Sequence, residues 1–277
     1  MFFSENPLPN CVRRSNCPQC GKSARHAMNQ QMLLTMFKWA AVVCCSFQLI
    51  LPAVADTNQI RVLIVTGQDW PGHLWRETAP ALRQLLEEDK RVAVRILEDP
   101  HALDSATLTN YSAVLLHFQN WQQPGPGLAA RENLRRFVQN GGGLMSVHFA
   151  CGAWQGEWPE FANIIGRVWD PKLRGHDPRG KFTVRIVDAA HPVTHGLKDF
   201  ETDDELYTCL VGDAPVHLLA QAKSKVDSRD HPMVFTRDYG KGRVFLTTLG
   251  HDVKGYTNSV VPQLLRQGCV WVAGSER

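Results

Sequence analysis

The chain has 277 residues, 44% of them hydrophobic, with 30 Lys and Arg against 27 Asp and Glu. Arg13, Arg14, Lys22, Arg25 and Lys38 lie before residue 56 against Glu5 alone, so the rest is close to neutral and its charge gives no support for a nucleic-acid partner or an anionic membrane surface. Only Cys151, Cys209 and Cys269 follow residue 56, too few for a disulfide framework, and the length beyond that point suits one domain with a sizeable core. Lys38 precedes the apolar run Trp39 to Leu51, and Pro52 and Ala53-Val54-Ala55 follow. A basic flank, an apolar core of about a dozen residues and a small-residue exit predict a secretory signal peptide cleaved after Ala55, which places the protein in the periplasm or outside the cell. That core is shorter than the roughly 20 residues of a comfortable span, so no stable membrane span is expected after cleavage; an uncleaved anchor is the alternative. Residues 1–55 therefore read as a leader and 56–277 as the domain. Within the leader, Cys17-Pro-Gln-Cys20 is half a zinc ribbon at best, since structural zinc wants four ligands. Residues before about 28–36 read as an over-extended start, with translation from Met28, Met32 or Met36.

Short β-branched runs then alternate with amphipathic stretches. Residues 61–66 form a nearly continuous apolar strand, as expected when helices cover both faces, and Leu74, Thr78, Leu82, Leu85 and Leu86 share a helical face. Residues 92–97 and 113–117 are the next strands. Ala130, Leu134, Phe137 and Val138 mark a second helix that stops at Asn140-Gly141. Residues 144–147 form a fourth strand, and Phe161, Ile164 and Ile165 mark the helix after it. Strands alternating with helices imply a parallel sheet. From Gly166 onward the rhythm changes: 182–187, 216–220, 232–236 and 243–248 are strands without long helices between them. Tyr239-Gly-Lys-Gly242 is a hairpin turn, so part of the sheet is antiparallel. Val260, Val261, Leu264, Leu265 and Val272 lie on a last helix, with Pro262 in its first turn.

Ligands of open α/β sheets bind beyond the carboxyl ends of the strands. Strand ends lead to His73, His117, His148 and His251, the third of them after Gly141-Gly-Gly-Leu-Met-Ser-Val147. Strand, sharp turn and helix is the layout that displays a nucleophile in α/β hydrolases and amidotransferases, but His148 stands where Ser or Cys is expected. Arg174-Gly-His176-Asp177 and the acidic run Thr202-Asp-Asp204-Glu205-Leu-Tyr207 read as two further loops. Imidazoles with carboxylates serve zinc, manganese or iron sites and proton shuttles alike. Trp70, Trp75, Trp121, Trp154, Trp158 and Trp169 fall near these segments, where indole faces suit sugar rings and also core packing.

Val65-Thr-Gly67 with Gly72-His73-Leu-Trp75, Asn140 to His148, Gly166-Arg167, His176, His191-Pro-Val-Thr194, Asp204-Glu205-Leu-Tyr207 and Tyr239 to His251 together resemble the ThuA-like family, named for trehalose utilisation, over about residues 60–275. The resemblance implies a flavodoxin-like three-layer α/β sandwich, mostly parallel with added antiparallel strands, similar to class I glutamine amidotransferases without their Cys-His-Glu triad. It implies carbohydrate metabolism, with a small carbohydrate as ligand. On that basis His148, His251, Asp204 and Glu205 are expected to be catalytic and His73, Trp75 and Tyr207 to bind substrate; Asn120 and Trp121, which continue from the end of the third strand, are expected to bind it with them. His148, His176 and His251 are the expected ligands of a divalent metal (zinc, manganese or iron). Three functional readings remain open: an enzyme on disaccharides or keto-glycosides, a non-catalytic carbohydrate-binding module, and an amidotransferase-like hydrolase using Cys151.

Overall fold

The computed structural model describes residues 59–69, 71–105 and 107–274. The leader, with Cys17, Cys20 and the Ala55 cleavage site, lies outside the described residues, as does Trp70. Among the described residues no helix is long and apolar enough to cross a membrane.

Eleven strands and four α-helices are described: β1 (Ile60–Val65), α1 (Trp75–Leu86), β2 (Val92–Leu97), β3 (Ala113–Leu116), α2 (Leu128–Gln139), β4 (Gly143–Val147), α3 (Glu160–Ile165), β5 (Val168–Trp169), β6 (Gly180–Ile186), β7 (Phe200–Asp204), β8 (Leu210–Val211), β9 (His217–Lys223), β10 (Asp230–Tyr239), β11 (Gly242–Thr247) and α4 (Val260–Val272). Nine of the strands form one sheet in the order β2-β1-β3-β4-β11-β10-β9-β6-β7, and β5 pairs with β8 separately. The first five are mutually parallel. Their order, 2-1-3-4 and then the last strand, is the flavodoxin-like winding. The strands β10, β9, β6 and β7 then add on in antiparallel fashion. The fold is thus the expected three-layer α/β sandwich of the amidotransferase-like class.

The pattern of apolar residues dictates the layers. All four residues of β3 and all five of β4 are buried, because helices cover both sheet faces. Ala79, Leu82 and Leu86 of α1 join Val261, Leu264 and Leu265 of α4 over one face. Ala130, Leu134 and Val138 of α2 join Phe161 and Ile164 of α3 over the other.

Two readings are corrected. The acidic run is not wholly a loop: Phe200, Thr202 and Asp204 are the buried positions of strand β7, whose inward residues are mostly polar and so hide the alternation. After His148 the chain makes a 3-10 turn (His148–Gly152), and the next α-helix begins only at Glu160.

Alternating antiparallel pairing makes β7 run in the same direction as β11. The ends of β1, β3, β4, β11 and β7 therefore share one rim, as does the segment entering β6. At that rim Gly67 holds a φ of 116°, and a Cβ there would lie 1.8 Å from the Glu98 carbonyl oxygen. Gly67→Ala is expected to cost about 3 kcal/mol or more, a fall of roughly 6–12 °C in the thermal midpoint for a domain of this size, readable by calorimetry.

Candidate metal centre

Each histidine of the site is placed by a different strand end. Val147 is the last residue of β4, and His148 follows with a φ of 50°, in the left-handed region that costs a non-glycine residue about 1–3 kcal/mol. That backbone turns the imidazole up over the rim, as a nucleophile elbow would. His251 follows β11 after Thr248-Leu-Gly, and His73 closes the loop from β1. Glu205 follows directly on Asp204, the last residue of β7.

One ligand atom from each of His73, His148, Glu205 and His251 lies within 4.8 Å of all the others. Donors on opposite sides of an ion with bonds of about 2.0–2.2 Å are roughly 4 Å apart, so the group closes on an ion with shifts below about 1 Å. The rings stand steeply to one another, His73–His148 at 83°, His148–His251 at 79° and His73–His251 at 69°. His148 is fully buried and His73 is nearly so.

The backs of the imidazoles decide which nitrogens face inward. His148 Nδ1 is 2.6 Å from the Thr248 carbonyl, which can only accept, so Nδ1 donates and Nε2 presents its lone pair. That lone pair accepts from the Tyr207 hydroxyl at 2.8 Å, so an ion bound to Nε2 would displace this hydrogen bond and free the hydroxyl. His73 Nδ1 donates to Asp69 Oδ1 at 3.0 Å, and Gln119 donates to the same oxygen at 3.2 Å. A carboxylate or carbonyl behind the imidazole is the usual orienting partner of a metal-binding histidine. Asp69→Ala is accordingly expected to weaken metal binding by about 10–100-fold, measured by competition with a chromophoric chelator, while the fold persists.

Asp204 is a buried anchor. Its carboxylate accepts from the backbone N–H groups of Gly250 (2.7 Å), His251 (3.1 Å) and Glu205 (2.9 Å), which ties the end of β7 to the loop after β11. His176 stands at the edge of the group: its Nδ1 donates to the Asp177 carbonyl at 2.7 Å, and its Nε2 is 3.7 Å from Glu205 Oε1. The group that could hold an ion thus contains His73 and Glu205 beside His148 and His251, with His176 flanking it. Asn120 is spent on structure, its oxygen accepting from Trp154 N at 2.6 Å and its nitrogen donating to Glu157 at 2.7 Å. Trp75 lines a cavity of about 350 Å³ beside His73, Asp69 and Pro71. Trp121 is exposed. His117 is not part of the group: its ring lies 4.6 Å from that of Phe149, which in turn stacks on His73 at 4.5 Å.

Burial of Glu205 opposes its charge, but its contacts with His148 and His251 outweigh it and hold the carboxyl well below the usual range. The reciprocal holds for His251: burial alone would lower its pKa, and Glu205, 3.2 Å from Nδ1, raises it. Burial lowers His73, more than Asp69 raises it. Burial pushes the Cys151 thiol well above its ordinary value. Cys151 is enclosed among apolar residues of the α2/α3 layer, where a thiolate nucleophile is disfavoured.

A parallel core whose elbow carries a histidine, among further imidazoles and a carboxylate, defines a flavodoxin-like fold with an imidazole where an elbow nucleophile would stand. Residues 61–272 match the family described as ThuA, trehalose utilisation, and the chain belongs to that family. Among solved structures, a ThuA-like protein from Parabacteroides merdae is 25% identical with a TM-score of 0.69, covering 78% of this chain and 90% of that one. A ThuA-like protein from Bacteroides uniformis is 21% identical with a TM-score of 0.64, covering 80% and 94%. A cytoplasmic protein from Salmonella typhimurium is 15% identical with a TM-score of 0.54, covering 78% and 98%. The last two likenesses concern the fold alone. A comparison with curated proteins returns no significant match.

Proposed function

We propose that this ThuA-family protein is an exported, metal-dependent enzyme acting on disaccharides or keto-glycosides. The observation that carries the reading is the convergence of His73, His148, Glu205 and His251 within 4.8 Å, with two of the imidazoles held from behind by Asp69 and the Thr248 carbonyl. Three imidazoles and one carboxylate suit zinc, manganese or iron better than a hard oxygen-seeking ion such as calcium. A divalent ion there would supply a Lewis acid that polarises a sugar carbonyl or hydroxyl.

A ketone on the sugar acidifies the neighbouring C–H. Removing that proton lets the electron pair enter a new C=C bond while the glycosidic C–O bond breaks and the departing oxygen takes a proton; in isomerisation the proton returns to the next carbon instead. His176 can receive the proton, because its Nδ1–H is committed to Asp177 and its Nε2 carries the lone pair. Tyr207, whose burial first of all keeps the hydroxyl protonated, can donate. Asp204 holds Glu205 and His251 in register without meeting substrate.

The test is elemental analysis of the purified protein together with turnover of oxidised and unoxidised disaccharides. About one ion per chain, and activity lost to a chelator and restored by metal, are expected. No bound metal with chelator-insensitive turnover overturns the reading. Sugar binding that survives His148→Ala and His251→Ala, with no turnover of any sugar, replaces it with a non-catalytic module. Cys151→Ser is expected to retain activity within about twofold, since a buried thiol is inert; a loss of turnover without unfolding would restore the cysteine hydrolase.

A further inference from the structure

We infer that Trp121 and Trp169 form a platform for a second sugar ring, the glycosidic neighbour of the one that reacts at the histidine group. The inference rests on the carbohydrate substrate proposed above and names where its second unit sits. Trp121, 39% exposed, lies in the segment after β3, and its ring is 5.3 Å from that of half-buried Trp169 in β5, the two tilted by 48°. The platform continues into the site: Trp169 meets Tyr207 edge to face at 4.8 Å, and the Tyr207 hydroxyl reaches His148 Nε2 at 2.8 Å.

The backbone beneath both indoles is shaped to seat them. A Cβ at Gly152, in the turn that carries His148, would lie 3.0 Å from Trp121 Nε1, and one at Gly175, beside His176, would lie 2.5 Å from Trp169 Cη2. A side chain at Gly175 would displace the Trp169 ring, and one at Gly152 would press on Trp121. Polar groups border the platform. The Gln155 amide donates to the Trp169 carbonyl at 3.2 Å, and the His176 ring lies 6.4 Å from the Trp169 ring. A sugar ring matches this mixture, with an apolar C–H face for the indoles and hydroxyls for the neighbouring amide and imidazole. The reacting unit is placed beside Tyr207 and His148, and Trp121 lies one indole further out, 5.3 Å from a Trp169 ring that is itself 4.8 Å from Tyr207, which leaves the platform to the neighbouring ring.

The test titrates maltose, trehalose, cellobiose and glucose against the protein as purified, by calorimetry and by tryptophan fluorescence, with metal content read in parallel. Wild type is expected to bind at least one disaccharide about tenfold more tightly than glucose. Trp121→Ala and Trp169→Ala should each erase most of that advantage while leaving glucose binding and metal content unchanged, and Trp169→Phe should keep part of it. Trp121 is the more exposed of the two, so its variant keeps the test open if Trp169→Ala does not fold. An advantage for the disaccharide that persists in Trp121→Ala, or no disaccharide binding at all, overturns the platform. Platform-dependent binding by a protein that neither holds metal nor turns over sugar would leave this inference standing and sink the enzymatic reading instead.

Discussion

Glutamine in place of Glu205 should empty the metal site and abolish turnover while the domain stays folded. The carboxylate lies 3.2 Å from His251 Nδ1, 3.5 Å from His148 Nε2 and 3.7 Å from His176 Nε2, the one anion facing three imidazoles. An amide of the same shape keeps the packing and discards the charge. Metal content should fall below about a tenth of wild type, and kcat by about a thousandfold or more, the scale on which removing a key electrostatic group acts. Glu205→Asp, which keeps the charge on a shorter stem, should retain measurable metal. The metal-stripped proteins carry a second signature. The depressed Glu205 pKa means that its contribution to stability is present above the unfolded value of about 4.3 and is lost as pH falls through the folded one. The raised His251 pKa means that its contribution is complete below about 6.5 and is lost as pH rises through the folded value. Wild-type stability in urea should therefore carry a component that peaks between roughly pH 4.5 and 6.5 and is missing from Glu205→Gln. Full metal occupancy in the glutamine variant would remove Glu205 from the ligand set.

How far the site could be read in advance depends on which strand delivers each residue. The parallel strands announce themselves by continuous apolar runs: β2 spans Val92–Leu97 as expected, and β1, β3 and β4 differ from expectation by a residue at either end. Knowing that ligands gather past such ends was enough to select His73, His148 and His251. The same logic also selected His117, and there the deciding fact is tertiary: the turn after His148 lays Phe149 across it. Glu205 and Tyr207 stand out as part of an acidic run followed by an aromatic, but their place in the pocket comes from the family resemblance. They follow β7, four strands beyond β11, and neither the pairing of Lys181 with Asp203 nor the return of Asp204 to Gly250 leaves a local mark in the sequence. Asp69 is legible in the sequence, four residues before His73 in the loop that follows β1. Asn120 shows the opposite error, since a polar residue at the right rim turned out to be consumed by Trp154 and Glu157.

His117 gives the domain a large acid sensitivity of its own. The side chain is fully buried, Nδ1 is 3.3 Å from Thr66 Oγ1, and Nε2 has no hydrogen-bond partner among the described residues. Burial first, then the nearby His148 and His73, push its pKa down to about 3. An unfolded chain therefore takes up this proton at about pH 6.5, well before the folded one does. Above pH 6.5 the residue has no effect on the pH dependence of stability; below it, stability falls by up to about 1.4 kcal/mol per pH unit until the folded pKa is reached. The full loss is roughly 4–5 kcal/mol, comparable with the whole stability of a marginal domain. His117→Leu removes this titration. At pH 7.5 it forgoes the Thr66 contact but also a buried nitrogen without a partner, so its stability should lie within about 1 kcal/mol of wild type. At pH 4 it should be more stable by about 3 kcal/mol, a crossover readable from urea melts of metal-stripped protein at the two pH values. His73, also lowered by burial, still titrates in the variant and leaves a shallower acid limb of the same sign. Parallel stability curves for the two proteins from pH 7.5 to pH 4 would show that His117 takes up its proton in the folded state, and that the pocket beneath Phe149 is not the apolar enclosure its geometry describes.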